Sequence, residues 1–192
     1  NGAKLDGRRL KLYGIGPVRV RWHRPLEGTV KTVRILHKAG RWYACFTCEV
    51  AGPAPLPKTG QAVGIDVGIS ALLTTSDGEK VAHPAFYRAG QRKLHVLQRK
   101  LARAQRGSHN YRKALRAVQR QQAHVAAQRD DFLHKLSTDL VRRYDRIALE
   151  DLRMRPMVCN HHLSKSILDS SWATFRQYLA YKAESAGREV AL

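Results

Sequence analysis

Along the first fifty residues, apolar and polar positions trade places every one or two residues. Runs rich in β-branched or aromatic residues at 8–13, 18–22, 29–37 and 41–50 are punctuated by Gly14, Gly16, Pro17, Pro25, Gly28 and Gly40. This pattern predicts short strands joined by turns. In the last run Trp42, Ala44, Phe46, Cys48 and Val50 alternate with Arg41, Tyr43, Thr47 and Glu49, a period of two that buries one face of a strand. Lys38-Ala39-Gly40 predicts a hairpin turn. Gly52-Pro53-Ala54-Pro55-Leu56-Pro57 then breaks the pattern. Three prolines so close together remove backbone donors and favour an extended spacer. A first domain over 1–52, a linker over 53–60 and a second domain over 61–192 are expected.

The second domain changes period part-way. Ala62-Val63-Gly64-Ile65-Asp66-Val67-Gly68 reads as an apolar strand carrying one acid, with runs at 71–75 and 80–82 folding back on it through Ser76-Asp77-Gly78. Leu94, Leu97 and Leu101 then follow helical spacing, and Gly107-Ser108-His109-Asn110 interrupts them. A second helix runs from near Tyr111 to Tyr144, completing a helical hairpin over about 86–144. Its distal half carries Phe132, Leu133, Leu136, Leu140, Val141 and Tyr144 as an apolar stripe. A strand at 146–150 and a polar loop at 153–165 follow. The last helix opens near Asp169-Ser170-Ser171, whose side chains are suited to capping it, and buries Trp172, Phe175 and Leu179. It stops at Gly187, and a strand opens after it. The runs at 62–67, 71–75, 80–82 and 146–150 are expected in one mixed sheet, an α/β fold.

Composition narrows the function. The 192 residues hold 35 Lys+Arg against 15 Asp+Glu, a formal charge of +20, which favours a polyanionic partner. No stretch approaches the ~20 apolar residues of a membrane span, and the opening Asn1-Gly2-Ala3-Lys4 leads into no apolar run, so no secretory signal is expected. Three cysteines fit a reducing compartment rather than a disulfide framework. A cytoplasmic, nucleic-acid-associated prokaryotic protein is expected, with no membrane partner and no small-molecule substrate. The first residue, Asn, and the opening strand at the end read as a piece of a longer protein. Charge is concentrated in two places: residues 1–60 hold 12 Lys/Arg against 3 Asp/Glu, and 88–120 hold eleven Lys/Arg and no acid. Those eleven are Arg88, Arg92, Lys93, Arg99, Lys100, Arg103, Arg106, Arg112, Lys113, Arg116 and Arg120. A merely solvated helix face mixes signs; this one is expected to lie along a nucleic-acid backbone.

Asp66 and Glu150 are the candidate catalytic residues. Each closes an apolar run, where a carboxylate needs compensation. Mg²⁺ supplies it, since that ion prefers oxygen ligands with substrate phosphates, and two such ions would hold the attacking and leaving oxygens of phosphodiester hydrolysis. The bland reading is that each acid ends a strand and pairs with an arginine. Gly64 and Gly68 would let a backbone or ligand come close. Other features read as structural. Cys45 and Cys48, with Cys159, His161 and His162, invite a zinc site, but residues three apart on a strand face opposite ways. His134 is expected as a packed, hydrogen-bonded histidine and Trp172 as a core anchor. Tyr13, Trp22 and Trp42 are expected to pack a barrel, with stacking on RNA as the alternative.

Gly64-Ile65-Asp66-Val67-Gly68, then Asp131-Phe132-Leu133-His134-Lys135, then Ala148-Leu149-Glu150-Asp151-Leu152, in this order, resemble the TnpB/OrfB family of transposon-encoded RNA-guided endonucleases, similar to type V CRISPR effectors. The resemblance implies part of an OB-like wedge β-barrel over 1–52 and part of a RuvC-like, RNase H-fold nuclease over 61–192. It matches Asp66 and Glu150 to catalytic, Mg²⁺-binding acids. It also implies a guide RNA and target DNA as partners. The family's third catalytic Asp and its zinc ribbon are not found in these residues, so an incomplete two-metal site, no zinc site and little cleavage by this chain alone are expected. Asp151, Asp77 and Asp169 are poor substitutes by position. The contrasting readings are a non-catalytic RNA- or DNA-binding transposon remnant or repressor, and, more remotely, a basic ribosome-associated protein.

Overall fold

The computed structural model describes residues 2–68, 70–150 and 171–191. They form two compact units, 1–52 and 53–192.

In the first unit β1 (Ala3–Asp6), β2 (Arg9–Leu12) and β3 (Gly16–Arg19) form an antiparallel sheet. β4 (Thr29–Lys38) and β5 (Arg41–Glu49) form a separate two-stranded ribbon. The ribbon turns through Ala39 and Gly40, both at positive φ (52° and 76°), the geometry of a two-residue hairpin turn. Gly28 enters it at φ 72°, and a Cβ there would sit 2.0 Å from the Glu49 carbonyl oxygen, so no other residue fits. Leu10 is the one fully buried apolar residue among the unit's described residues. Ala44, Phe46 and Cys48 share a half-buried face of β5, as their alternation requires, but Trp42 and Val50 are exposed. Trp22 stacks on Phe46 with ring centroids 5.3 Å apart, whereas Tyr13 and Trp42 stand 89% and 73% exposed. The expectation that all three aromatics pack a core therefore holds for Trp22 alone. Tyr13 lies in the tight β2–β3 turn and Trp42 near the ribbon's end, where no second layer covers them within the unit.

The second unit is a five-stranded mixed sheet in the order β10-β9-β6-β7-β8. β6 (Ala62–Asp66) is antiparallel to β7 (Leu73–Thr75) and parallel to β9 (Arg146–Leu149). β8 (Lys80–Val81) borders β7, and β10 (Glu189–Ala191) runs parallel to β9 at the other edge. The helices are α1 (Phe86–Arg103), α2 (His109–Arg143) and α3 (Trp172–Ala186). Val63, Ile65, Leu73, Ile147 and Leu149 bury one sheet face against Leu133, Leu140 and Val141 of α2 and Phe175 and Leu179 of α3. Trp172 is 4% exposed, and its indole N–H donates to the Leu72 carbonyl at 3.3 Å, a core anchor as expected. Ser171 precedes α3 in a left-handed conformation and its side chain makes no capping bond. With φ near 52° it lacks the extended geometry that aims a hydroxyl at the helix amides. Asp169 and Ser170 lie outside the described residues. Ser108 does cap α2, its hydroxyl accepting from Tyr111 N–H at 3.0 Å.

The proline-rich segment is bound along the second unit instead of spanning freely. Leu56 N–H donates to Ala186 O, and Arg188 Nη2 donates to Pro57 O at 2.7 Å. Asp145 accepts from Thr59 N–H at 2.9 Å and from Gly60 N–H at 2.7 Å, and pairs with the buried guanidinium of Arg188. The Thr59 amide foremost, then those of Gly60, the Thr59 hydroxyl and Arg188, hold the Asp145 carboxyl below its ordinary range. A depressed carboxylate pKa contributes stability that is complete above the unfolded value and lost as pH falls through the folded one. Asp145→Asn is thus expected to lower Tm at neutral pH and to flatten the fall in Tm below about pH 4. Parallel melting curves for the variant and the parent down to pH 2 would contradict this.

α1 and α2 approach closely at Gly90, where a Cβ would lie 2.8 Å from Val125 Cγ2 and 3.3 Å from Gln121 Nε2. Overpacking of about 1–3 kcal/mol outweighs a helix-propensity gain of about 1 kcal/mol. Gly90→Ala is expected to lower the urea midpoint; a raised midpoint would show that the helices part without cost.

Candidate active site and nucleic-acid interface

The sheet brings two acids together that lie 84 positions apart in sequence. In the parallel β6–β9 pair, Val63 lies opposite Ile147 and Ile65 opposite Leu149. One residue further on, Glu150 N–H donates to the Ile65 carbonyl at 3.4 Å. Asp66 closes β6 and Glu150 directly follows β9, so the two stand at the same level on neighbouring strands, with backbones about 4.8 Å apart. Side chains alternate along a strand. Because Ile65 and Leu149 enter the core, the two carboxylates project from the opposite face, where both are exposed. Among the described residues neither forms an ion pair, so the arginine-paired reading of these acids finds no partner there.

Among the described residues, small side chains and glycines surround the pair. A Cβ at Gly64 would meet only Ser76 Cβ at 3.8 Å, and one at Gly68 only the Ala71 carbonyl at 3.5 Å. Those are ordinary contacts, so among the described residues neither glycine is tightly enclosed. Two exposed carboxylates on one strand-end face, with no ion-pair partner among the described residues, are hard oxygen donors of the kind Mg²⁺ takes. Among the described residues no group of three or more His, Cys, Asp or Glu side chains is placed to hold a metal. Asp77 is engaged elsewhere, accepting from the Tyr144 hydroxyl at 2.6 Å; that bond, with burial, raises the phenol pKa. Asp151, Cys159, His161 and His162 lie outside the described residues. Cys45 and Cys48 are free thiols on β5. His134 is exposed and stacks on Tyr178 at 4.0 Å. The expected packing is there, but at the rim, because α2 turns its Leu133 and Ser137 inward and leaves His134 exposed. Sequence pattern gave no hint of its neighbour Lys182, which donates to the His134 carbonyl and to the hydroxyls of Ser137 and Thr138. Burial lowers its pKa.

All eleven basic residues of 88–120 are exposed, on α1, on the first half of α2 and, for Arg106, on the turn between them. None is in an ion pair among the described residues. The helices pack through Leu94, Val118, Gln121 and Val125, which leaves the long cationic side chains facing water. A groove of about 280 Å³ between them is lined by Tyr87, Gly90, Leu94, Gln98, Gln122, Val125, Ala126 and Arg129. In the first unit a cleft of about 540 Å³ is lined by Arg8, Arg19, Val20, Arg21 and Trp22. No helix among the described residues is long and apolar enough to cross a membrane.

The family model OrfB_IS605, described as probable transposase, matches residues 45–161. The chain belongs to that family; it is a TnpB-like protein. A relative from Streptomyces pristinaespiralis that carries the name RNA-guided DNA endonuclease is 42% identical over 177 residues, covering 91% of this chain and 44% of the relative. A second, named RNA-guided DNA endonuclease InsQ, from Escherichia coli (strain K12), is 32% identical over 98% of this chain and 51% of its own length. The chain thus spans about half the length of these relatives. A Cas12f1–sgRNA–target DNA complex aligns over 82% of this chain and 40% of the other, at 10% identity and a TM-score of 0.46.

Proposed function

We infer that this chain carries two carboxylates of the active site of an RNA-guided, Mg²⁺-dependent DNA endonuclease of a transposable element, built on a RuvC-like, RNase H-type sheet. One observation carries the reading: Asp66, the last residue of β6, and Glu150, directly after β9, stand side by side at the ends of adjacent parallel strands, both exposed. The order β10-β9-β6-β7-β8, with two helices over one face, is compatible with it. Asp66 and Glu150 would hold the metal, which when bound polarises the scissile phosphate and lowers the pKa of its water. The strands fix the spacing of the two acids, because both follow buried residues that cannot shift register without exposing Ile65 or Leu149. The basic hairpin would hold the phosphate backbone of a guide–target duplex by charge and shape. The first unit, as part of a wedge barrel, would present Arg8, Arg19 and Arg21 to further phosphates. The names of the relatives favour RNA and DNA as partners. The reading is tested by exchanging this chain for the matching segment of the Streptomyces relative and assaying guided plasmid cleavage. Activity lost in both Asp66→Ala and Glu150→Ala supports it. Full activity in either variant overturns it.

A further inference from the structure

The β4–β5 ribbon ends in an aromatic pair that the fold leaves open. His37 and Trp42 lie directly across from one another, their rings 4.7 Å apart and tilted by 43°. Trp42 is 73% exposed. Isolated exposed aromatics are ordinary on protein surfaces; this one differs in its setting. The turn beyond it is held by two consecutive positive-φ residues, one of them Ala39, a conformation that a Cβ disfavours. The next cross-strand pair is Lys38 opposite Arg41, and like charges directly opposite destabilise a ribbon. Neither cation is in an ion pair among the described residues.

A tight tip, an open indole face backed by an imidazole, and two adjacent cations with no ion-pair partner among the described residues share one chemistry. The ring offers a π-face to a flat heteroaromatic, and the cations offer donors to the phosphate joined to it. We propose that the ribbon tip is a binding site for a single unpaired nucleobase of the bound nucleic acid, stacked on Trp42, with its phosphate met by Lys38 and Arg41. This rests on the nucleic-acid reading above and adds to it a specific contact to single-stranded segments. Base stacking is indifferent to sequence because every base has a π-face, so the site reads strandedness instead of identity. A peptide partner would use the aromatic pair but gain nothing from two cations unless it were acidic.

The test uses the full 192-residue chain and an oligonucleotide carrying 2-aminopurine in an unpaired stretch, with the same sequence fully paired as the second arm. Stacking quenches the fluorescent base. The expected result is quenching with the parent chain and its loss in Trp42→Ala. Affinity for the unpaired arm should fall about 5- to 150-fold, the range that stacking losses per base give, while affinity for the paired arm stays within about twofold. Trp42→Phe should restore most of both signals, which separates stacking from a folding defect. Equal affinities of parent and Trp42→Ala for the unpaired arm, with salt-dependent binding intact, overturn the stacking site and leave the nucleic-acid reading standing. Equal losses on both arms also overturn it. Absence of binding by the parent chain to either arm overturns both.

Discussion

Replacing Asp66 by alanine is expected to lower guided, Mg²⁺-dependent cleavage by on the order of a thousandfold or more. In two-metal phosphodiester hydrolysis each ion stabilises one end of the displacement, so removing a ligand costs several kcal/mol of barrier. Each 1.36 kcal/mol is a factor of ten. Asp66 is exposed on the face opposite the core, so its truncation removes no packing and leaves stability within about 0.5 kcal/mol. The loss should therefore appear in kcat with the melting temperature unchanged. The chimera with the Streptomyces relative is the context for this comparison. A variant that cleaves within tenfold of the parent would place the reacting phosphate elsewhere.

The second large effect is on binding. Arg99 and Arg103 lie one helical turn apart on α1, and Arg106 follows in the turn before α2. All three are exposed and outside any ion pair among the described residues. Each phosphate contact contributes about 0.7–0.9 to the slope of log K against log salt. Changing the three to Glu is expected to flatten that slope by about 2–3, and to weaken binding at 0.1 M salt by about 100- to 1,000-fold on the same scaling. The measurement is a salt titration of affinity for structured RNA and for an RNA–DNA duplex. An unchanged slope would reduce the hairpin to a solvated arm.

Local pattern made most elements legible. The meander at 62–81, the helical hairpin and α3 each combine a clear period with a Gly or Ser boundary, and their buried residues followed from spacing: Leu133, Leu140 and Val141 on α2, Trp172, Phe175 and Leu179 on α3. The pairing of Asp66 with Glu150 was also within reach, because both close apolar runs and two such strands of one sheet tend to be neighbours. What pattern could not supply was long-range. β5 alternates as a half-buried strand, yet its ribbon has no second layer within its unit, so Trp42 is left in the open. The proline-rich stretch has the composition of a spacer. Its attachment depends on Asp145 and Arg188, more than eighty residues away, whose charges meet only in the fold. Ser171 has a capping side chain but the wrong backbone dihedral, a fact invisible in its identity. The Lys182 clasp joins helices whose mutual rotation is set by core packing.

The central claim is that Asp66 and Glu150 share a metal ion, and paramagnetic NMR tests it without any requirement for turnover. Mn²⁺ in place of Mg²⁺, added at substoichiometric amounts to the ¹⁵N-labelled chain, should broaden the amide signals at the ends of β6 and β9 before any others. That selective broadening should disappear in the Asp66→Asn, Glu150→Gln double variant. Broadening that spares those two strand ends, or that persists there in the double variant, would contradict the site.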